Sequence, residues 1–185
     1  MRKKTPQLSK PAPQRKSREK LIASGNDSSK FTVIADTREN LVKTFNKTDY
    51  CNGTTSKKLD YGDYSLEGLE DKFVVERKGN VSEVYSNICG DDWERFEKEL
   101  IVLQDYPDAY IIFEFSMNDI IKFPWNCKLP MAVKRKIGNR GGFFLRRLLE
   151  VMTEYKIPII FAGSQENAQT VMISLFKRIW AKYSN

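Results

Sequence analysis

Two short runs, Phe31-Thr-Val-Ile-Ala35 and Tyr110-Ile-Ile-Phe113, constrain this chain more than any other feature. Both are too short for a helix and apolar almost throughout, which is the pattern of a strand covered on both faces. The second lies inside a predicted strand from Ala109 to Phe115, and a further strand is predicted at Ile157–Phe161. Lys58–Leu66 and Lys72–Lys78 read as two arms of a hairpin joined by the Gly-containing loop Glu67–Asp71. Between these runs the apolar spacing becomes helical. Trp93, Phe96, Leu100 and Leu103 follow the potential cap Asp91-Asp92, and Phe144, Leu148, Val151 and Met152 mark a helix over Phe143–Tyr155. Ser164 can cap a last helix carrying Val171, Leu175 and Ile179, a face that serves either the core or a subunit interface. Strands interleaved with helices predict an α/β domain over residues 31–185, a central mixed β-sheet flanked by helices on both faces.

Residues 1–30 fall outside that pattern. They hold nine Lys/Arg against Glu19 and Asp27, which accounts for the whole formal charge of +7, and almost no large apolar residue. Such a segment cannot bury enough surface to order itself, so it reads as a disordered basic tail. Its uses are non-specific attraction to phosphate or, in a nucleated host, nuclear localisation. The chain has no apolar run of membrane-spanning length and no signal-peptide pattern, so a soluble, intracellular protein is expected, without a membrane partner. Cys51, Cys89 and Cys127 are widely spaced and form no disulfide framework.

The sequence contains no histidine. That excludes Ser-His-Asp and Cys-His hydrolases, H-E-x-x-H zinc proteases and zinc deaminases. A hydrolase built from this chain must use carboxylates, lysine and a hard, oxygen-loving cation. Charge is distributed accordingly. Acids concentrate between Asp36 and Asp119, whereas Ile120–Leu149 holds eight Lys/Arg and no acid.

One group of residues fits that chemistry. In a strand Glu76 and Lys78 share a face and Arg77 takes the other, and a paired hairpin would set Asp63 near Glu76. Two carboxylates can hold Mg²⁺, with waters and phosphate completing its shell, while the lysine steadies developing charge in phosphodiester hydrolysis by a metal-polarised water. A solvated salt bridge worth ~0–1 kcal/mol explains the same spacing. Asp36-Thr37-Arg38-Glu39 sits at the carboxyl end of a buried strand, where α/β sheets place ligands. A helix start, with Asp36 as cap and Glu39 completing a capping box, is the other reading.

The ordered series Asp36-Thr-Arg-Glu39, Gly62-Asp63-Tyr64, Glu76-Arg77-Lys78 and the helical Arg95-Phe96…Glu99-Leu100, with Gly141-Gly142 before a long helix, resembles the nuclease domain of the XPF-type structure-specific endonucleases. The likeness runs from about Phe31 to Trp180 and implies a restriction-endonuclease-like fold. It implies Asp36, Asp63 and Glu76 as ligands of Mg²⁺, with Mn²⁺ able to substitute, and Lys78 as the group that orients the nucleophile. The Arg77 carbonyl is a candidate extra ligand. Arg38, Glu39 and Arg77 match positions needed for activity, and Arg77 could either contact phosphate or hold the hairpin. The implied reaction is cleavage of branched, flapped, forked or nicked DNA to 3′-hydroxyl and 5′-phosphate ends, in repair, replication or recombination. Pairing through the nuclease domain, as a homodimer or heterodimer, is also implied.

The sequence departs from the family at two points. Ser82 stands where the family has an acid, with Glu83 one place later, so either Glu83 substitutes or Ser82 simply caps the next helix. The chain also ends without the helix-hairpin-helix region of larger members, like small stand-alone members from bacteria or phage. In the basic segment, Lys134, Arg135, Lys136, Arg140, Arg146 and Arg147 are expected to meet phosphate. Phe123 and Trp125 read as core or interface aromatics, with base stacking as the other use of Trp125. Other possible functions are a catalytically silent DNA-binding partner subunit and a nuclease acting on RNA or on one DNA sequence.

Overall fold

The computed structural model describes residues 29–39 and 43–184, so the predicted tail lies outside the described residues except for Ser29 and Lys30. Six strands form one mixed sheet: β1 (Phe31–Ala35), β2 (Cys51–Ser56), β3 (Tyr64–Leu66), β4 (Phe73–Lys78), β5 (Asp108–Phe113) and β6 (Ile159–Phe161). Their order across the sheet is β2-β1-β3-β4-β5-β6. β1 runs parallel to β2 and antiparallel to β3, β3 is antiparallel to β4, and β4, β5 and β6 are parallel. The helices are α1 (Val81–Cys89), α2 (Trp93–Gln104), α3 (Met117–Ile121), α4 (Met131–Ile137), α5 (Gly141–Tyr155) and α6 (Gln165–Ser184). Among the described residues no helix is long and apolar enough to cross a membrane.

Alternation along the strands divides the core in two. Val74, Ile111 and Phe113 face a layer built from α1, α2, α3 and α5, including Val84, Phe96, Leu100, Phe144 and Leu148. Phe31, Val33, Phe73 and Val75 face the other way, onto Phe45 and α6. This bears out the predicted sheet with helices on both faces, and β1 is buried along its whole length.

Several boundaries differ from the sequence expectation. The arm predicted at Lys58–Leu66 is a strand only from Tyr64, because residues 57–63 find hydrogen bonds to side chains and strand ends rather than to a ladder. β5 ends at Phe113, two residues before the predicted Phe115, and β6 begins at Ile159 rather than Ile157. α5 starts at Gly141, ahead of the predicted Phe143, and packs so closely on α3 that a Cβ at Gly141 would lie 1.9 Å from the Ile121 carbonyl oxygen. Ser164 does cap α6, its hydroxyl oxygen accepting from the Asn167 N–H. The buried face of α6 is Ala168, Met172, Phe176 and Ile179, so the predicted Val171 and Leu175 are half-buried flanks. Asp92 occupies the cap position of α2 but makes no cap bond; its carboxylate accepts from the Ser86 hydroxyl.

Candidate active site

Strand direction alone gathers the acidic residues. β1, β4 and β5 point the same way, and β3 runs against them, so the residues after β1, at the end of β4, after β5 and just before β3 share one edge of the sheet. Asp36, Glu76 to Lys78, Glu114 and Asp63 occupy these positions. Tyr64 pairs with Val75, which sets Asp63 opposite Glu76. The turn into β3 needs a residue without a side chain. Gly62 has φ +74°, and a Cβ there would approach Val74 Cγ2 to 2.2 Å.

Two adjoining depressions share Arg38, Asp63 and Glu76 as a common rim. One, of about 330 Å³, is lined further by Asp36, Asp60, Tyr61 and Glu99. The other, of about 630 Å³, is lined by Glu39, Arg77, Lys78, Glu83, Arg95 and Glu114. The carboxylate pair therefore sits midway along an open cleft.

Electrostatics in the cleft are uneven. Asp63 is held well above the usual carboxylate range, by burial first and by the nearby Glu76 charge second, against a backbone N–H from Arg77 that donates to Oδ2 at 2.7 Å. Glu76 is also raised by burial, which its ion pair with Lys78 at 2.8 Å only partly offsets. Burial works against the Lys78 ammonium, but Glu76 outweighs it and Lys78 stays charged, lying 5.4 Å from the centre of the Phe96 ring. Glu83 approaches the same ammonium at 3.6 Å.

Asp36 is placed differently. Only 2% exposed, it accepts from Leu59 N–H at 2.6 Å, from Arg38 N–H at 2.8 Å and from Arg38 Nε at 2.7 Å. Burial raises its pKa, but Arg38 and the backbone donors outweigh that and hold it below the usual range. Its oxygens are thus committed to fastening the loop before Gly62. Among the described residues no group of three or more Asp, Glu or Cys is already drawn together as for a metal ion, although Asp36, Asp63 and Glu76 line the same depression. Asp63 and Glu76 remain as a pair. Their donors are all carboxylate oxygens, and Lys78 and the Arg77 N–H compensate their burial and mutual repulsion only in part, which fits a hard divalent cation of the Mg²⁺ kind.

On the other face of β4, Arg77 is buried between two acids. Nη2 donates to Glu39 Oε1 at 2.9 Å and Nη1 lies 3.0 Å from Glu114 Oε2, while Lys43 Nζ stands 3.1 Å from Glu114 Oε1. All four side chains are at most 8% exposed. Of the two roles open to Arg77, this geometry is that of a residue holding strands together. Glu39 pairs with Arg77 across the sheet edge. Glu114 and Lys43 escaped the sequence reading; an acid directly after an all-apolar strand was the only local signal for the first.

Ser82 does not cap the next helix. Asn80 does, its Oδ1 accepting from the Ser82 N–H at 2.8 Å. In the basic segment, Arg135 and Lys136 of α4 are exposed, and Lys134 donates to the Trp125 carbonyl. Arg140 lies over the Phe143 ring. Arg146 and Arg147 both reach Glu150, the first acid beyond the basic run, and Arg147 also lies over Trp93. Phe123 belongs to the core, as expected, but Trp125 does not: it is exposed.

No family model and no curated protein matches the chain. Solved structures do. XPF from Aeropyrum pernix matches with a TM-score of 0.52 at 17% identity, covering 80% of this chain and 60% of that one. XPF from Aeropyrum pernix in complex with DNA matches with a TM-score of 0.53 at 18% identity, covering 83% of this chain and 66% of that one. The chain thus spans less than two thirds of either. At such identity the likeness establishes the fold: the mixed sheet flanked by helices is that of the XPF structures, as the sequence motifs implied.

Proposed function

We propose that the chain is a divalent-metal-dependent endodeoxyribonuclease of the XPF type. The observation that carries this reading is the pair Asp63 and Glu76, set across a strand pairing at the midpoint of an open cleft, their charge only partly offset by the Lys78 beside them. The fold likeness to a protein solved in complex with DNA supports DNA as the partner. Bound by these carboxylates, Mg²⁺ or Mn²⁺ would supply Lewis acidity toward water and phosphate.

The protein's own groups do the rest. Arg77 N–H fixes Asp63 in place, and Gly62 lets the β3 turn approach β4. Lys78 stays an ammonium because Glu76 outweighs its burial, so it acts as a fixed positive charge beside the reacting phosphate and not as a proton acceptor. Arg38, more than half exposed at the shared rim, is available to a phosphate oxygen as well as to Asp36. The basic segment offers phosphate contacts along the substrate. A silent partner subunit would have no use for this costly carboxylate pair, which is why catalysis is the preferred reading.

The test is cleavage of a panel of flapped, forked, nicked and plain duplex DNA with Mg²⁺ or Mn²⁺. Asp63→Asn and Glu76→Gln should each abolish cutting while leaving DNA binding intact. A wild-type protein that binds these substrates yet cuts none with either metal would refute the proposal.

A further inference from the structure

The stretch from the end of α3 through α4 carries groups that cleavage does not use. Of the eight large apolar or aromatic side chains exposed among the described residues, four fall between Ile121 and Val133: Ile121, Trp125, Met131 and Val133. Over the same stretch the charge is of one sign, since Ile120–Leu149 contains no acid.

Trp125 is presented by a clamped backbone. On one side of it, Phe123 is buried and stacked on Tyr85 of α1, with ring centroids 4.4 Å apart and planes inclined by 24°. On the other, Cys127 is buried against Ser82, also of α1. Lys134 Nζ donates to the Trp125 carbonyl at 3.0 Å. Between these fixed points the indole is left 45% exposed. An aromatic on a backbone fixed in this way binds a flat partner at lower cost in conformational entropy than one on a loose loop. Its anchor, the first turn of α1, also carries Glu83, which lines the cleft and reaches Lys78.

The surrounding charge selects the partner. The segment supplies lysine and arginine around this face, and the nearest acid, Asp119, has its oxygens taken up by Ser116 and Asn126. The surface therefore matches a base above a phosphate chain better than a protein surface, which would present charges of both signs. We infer that Trp125 is a stacking platform for an unpaired nucleotide whose phosphates lie along Arg135 and Lys136. The inference rests on the nuclease reading and deepens it. A paired base in intact duplex keeps its faces stacked on its neighbours, so the platform favours DNA with a nick, flap or single-stranded arm.

The experiment measures binding of labelled oligothymidylate and of a blunt duplex of equal length, without divalent metal so that nothing is cut. Trp125→Ala should weaken oligothymidylate binding roughly tenfold, the scale of one lost stacked base, and leave duplex binding within about twofold. Trp125→Phe should retain most of the affinity, because a ring remains. Equal losses on both DNAs, or no loss on either, overturn the platform, as does a change in oligomeric state that accounts for the effect. Cleavage of a flapped substrate is scored in parallel. A wild-type chain that cuts but is indifferent to Trp125→Ala loses the platform alone, and one that neither binds nor cuts loses both proposals.

Discussion

The backbone N–H of Arg77 donates to Asp63 Oδ2 at 2.7 Å, and this bond sets one carboxylate of the cleft across from the other on Glu76. It also ties the two faces of β4 together, since the Arg77 side chain goes to Glu39 and Glu114 on the far side. One residue thereby positions an acid with its backbone and a charge network with its guanidinium.

The first consequence concerns metal and pH. Asp63 and Glu76 have folded-state pKa values above their unfolded ones, by burial first. Such groups add stability that is fully present below the unfolded carboxylate range, near ~4, and is lost as pH rises through the folded values. The metal-free protein should therefore melt at lower temperature as pH climbs above that range. Asp63→Asn should flatten the decline. Mg²⁺ at ~100 times its dissociation constant should restore roughly 2.7 kcal/mol in the wild type and far less in Asp63→Asn. Equal Mg²⁺ stabilisation of both proteins, in thermal melts at acidic and alkaline pH, would show that the ion binds elsewhere.

A second expectation follows from the buried quartet Glu39, Arg77, Glu114 and Lys43. Breaking a buried pair leaves an uncompensated charge, at a cost of ~3–5 kcal/mol. Arg77→Ala and Glu114→Ala should each lower unfolding free energy on that scale in urea titrations, whereas Arg146→Ala, whose pair with Glu150 is exposed, should not. Arg77→Lys should not rescue, because a single ammonium cannot span both acids as the guanidinium fork does. A loss below ~1 kcal/mol for Arg77→Ala would mean that the network relaxes or hydrates.

Much of this arrangement was legible before any coordinates. β1 and β5 announced themselves as apolar runs, and the order of acidic motifs along the chain placed Asp63 and Glu76 together. What escaped notice lacked a local signal. β2, Cys51–Ser56, is polar and contains glycine because it is an edge strand half in solvent. Asp60, Gly62 and Asp63 are poor strand formers, and residues 57–63 are held instead by Asp36 and Arg38, which no pairing pattern reveals. The partners of Arg77 lie on either side of it in sequence, Glu39 being 38 residues away, so the quartet exists only in the folded sheet. Asn80 and Ser82 are both good cap residues two positions apart, so composition alone does not decide which caps the helix.

Lys78 leads to a kinetic expectation. Because Glu76 keeps it protonated, its role is electrostatic. Lys78→Met should lower kcat by roughly 10²–10³ with little change in KM, as for loss of one preorganised group facing developing charge. The pH–rate profile of the wild type should then show no limb that disappears in the variant. A limb lost on Lys78→Met would reassign Lys78 as the proton-transferring group.

The last expectation separates Ser82 from Glu83, the two candidates for the missing family acid. Ser82 supplies an N–H to the Asn80 cap and lies against Cys127, facing away from the cleft chemistry. Glu83 lines the cleft, and its carboxylate stands 3.6 Å from Lys78 Nζ, though about half exposed. An exposed pair of that length contributes little to stability, so Glu83→Gln should leave the melting temperature nearly unchanged. It should still reduce cleavage by a few-fold, roughly the worth of one screened charge in holding Lys78 on station. Ser82→Ala should leave cleavage unchanged, since the Asn80 cap uses only its backbone, and any fall in melting temperature should come from the hydroxyl's lost contact with Cys127. If Ser82→Ala impairs cleavage while Glu83→Gln does not, the hydroxyl, and not the neighbouring carboxylate, stands in for the acid.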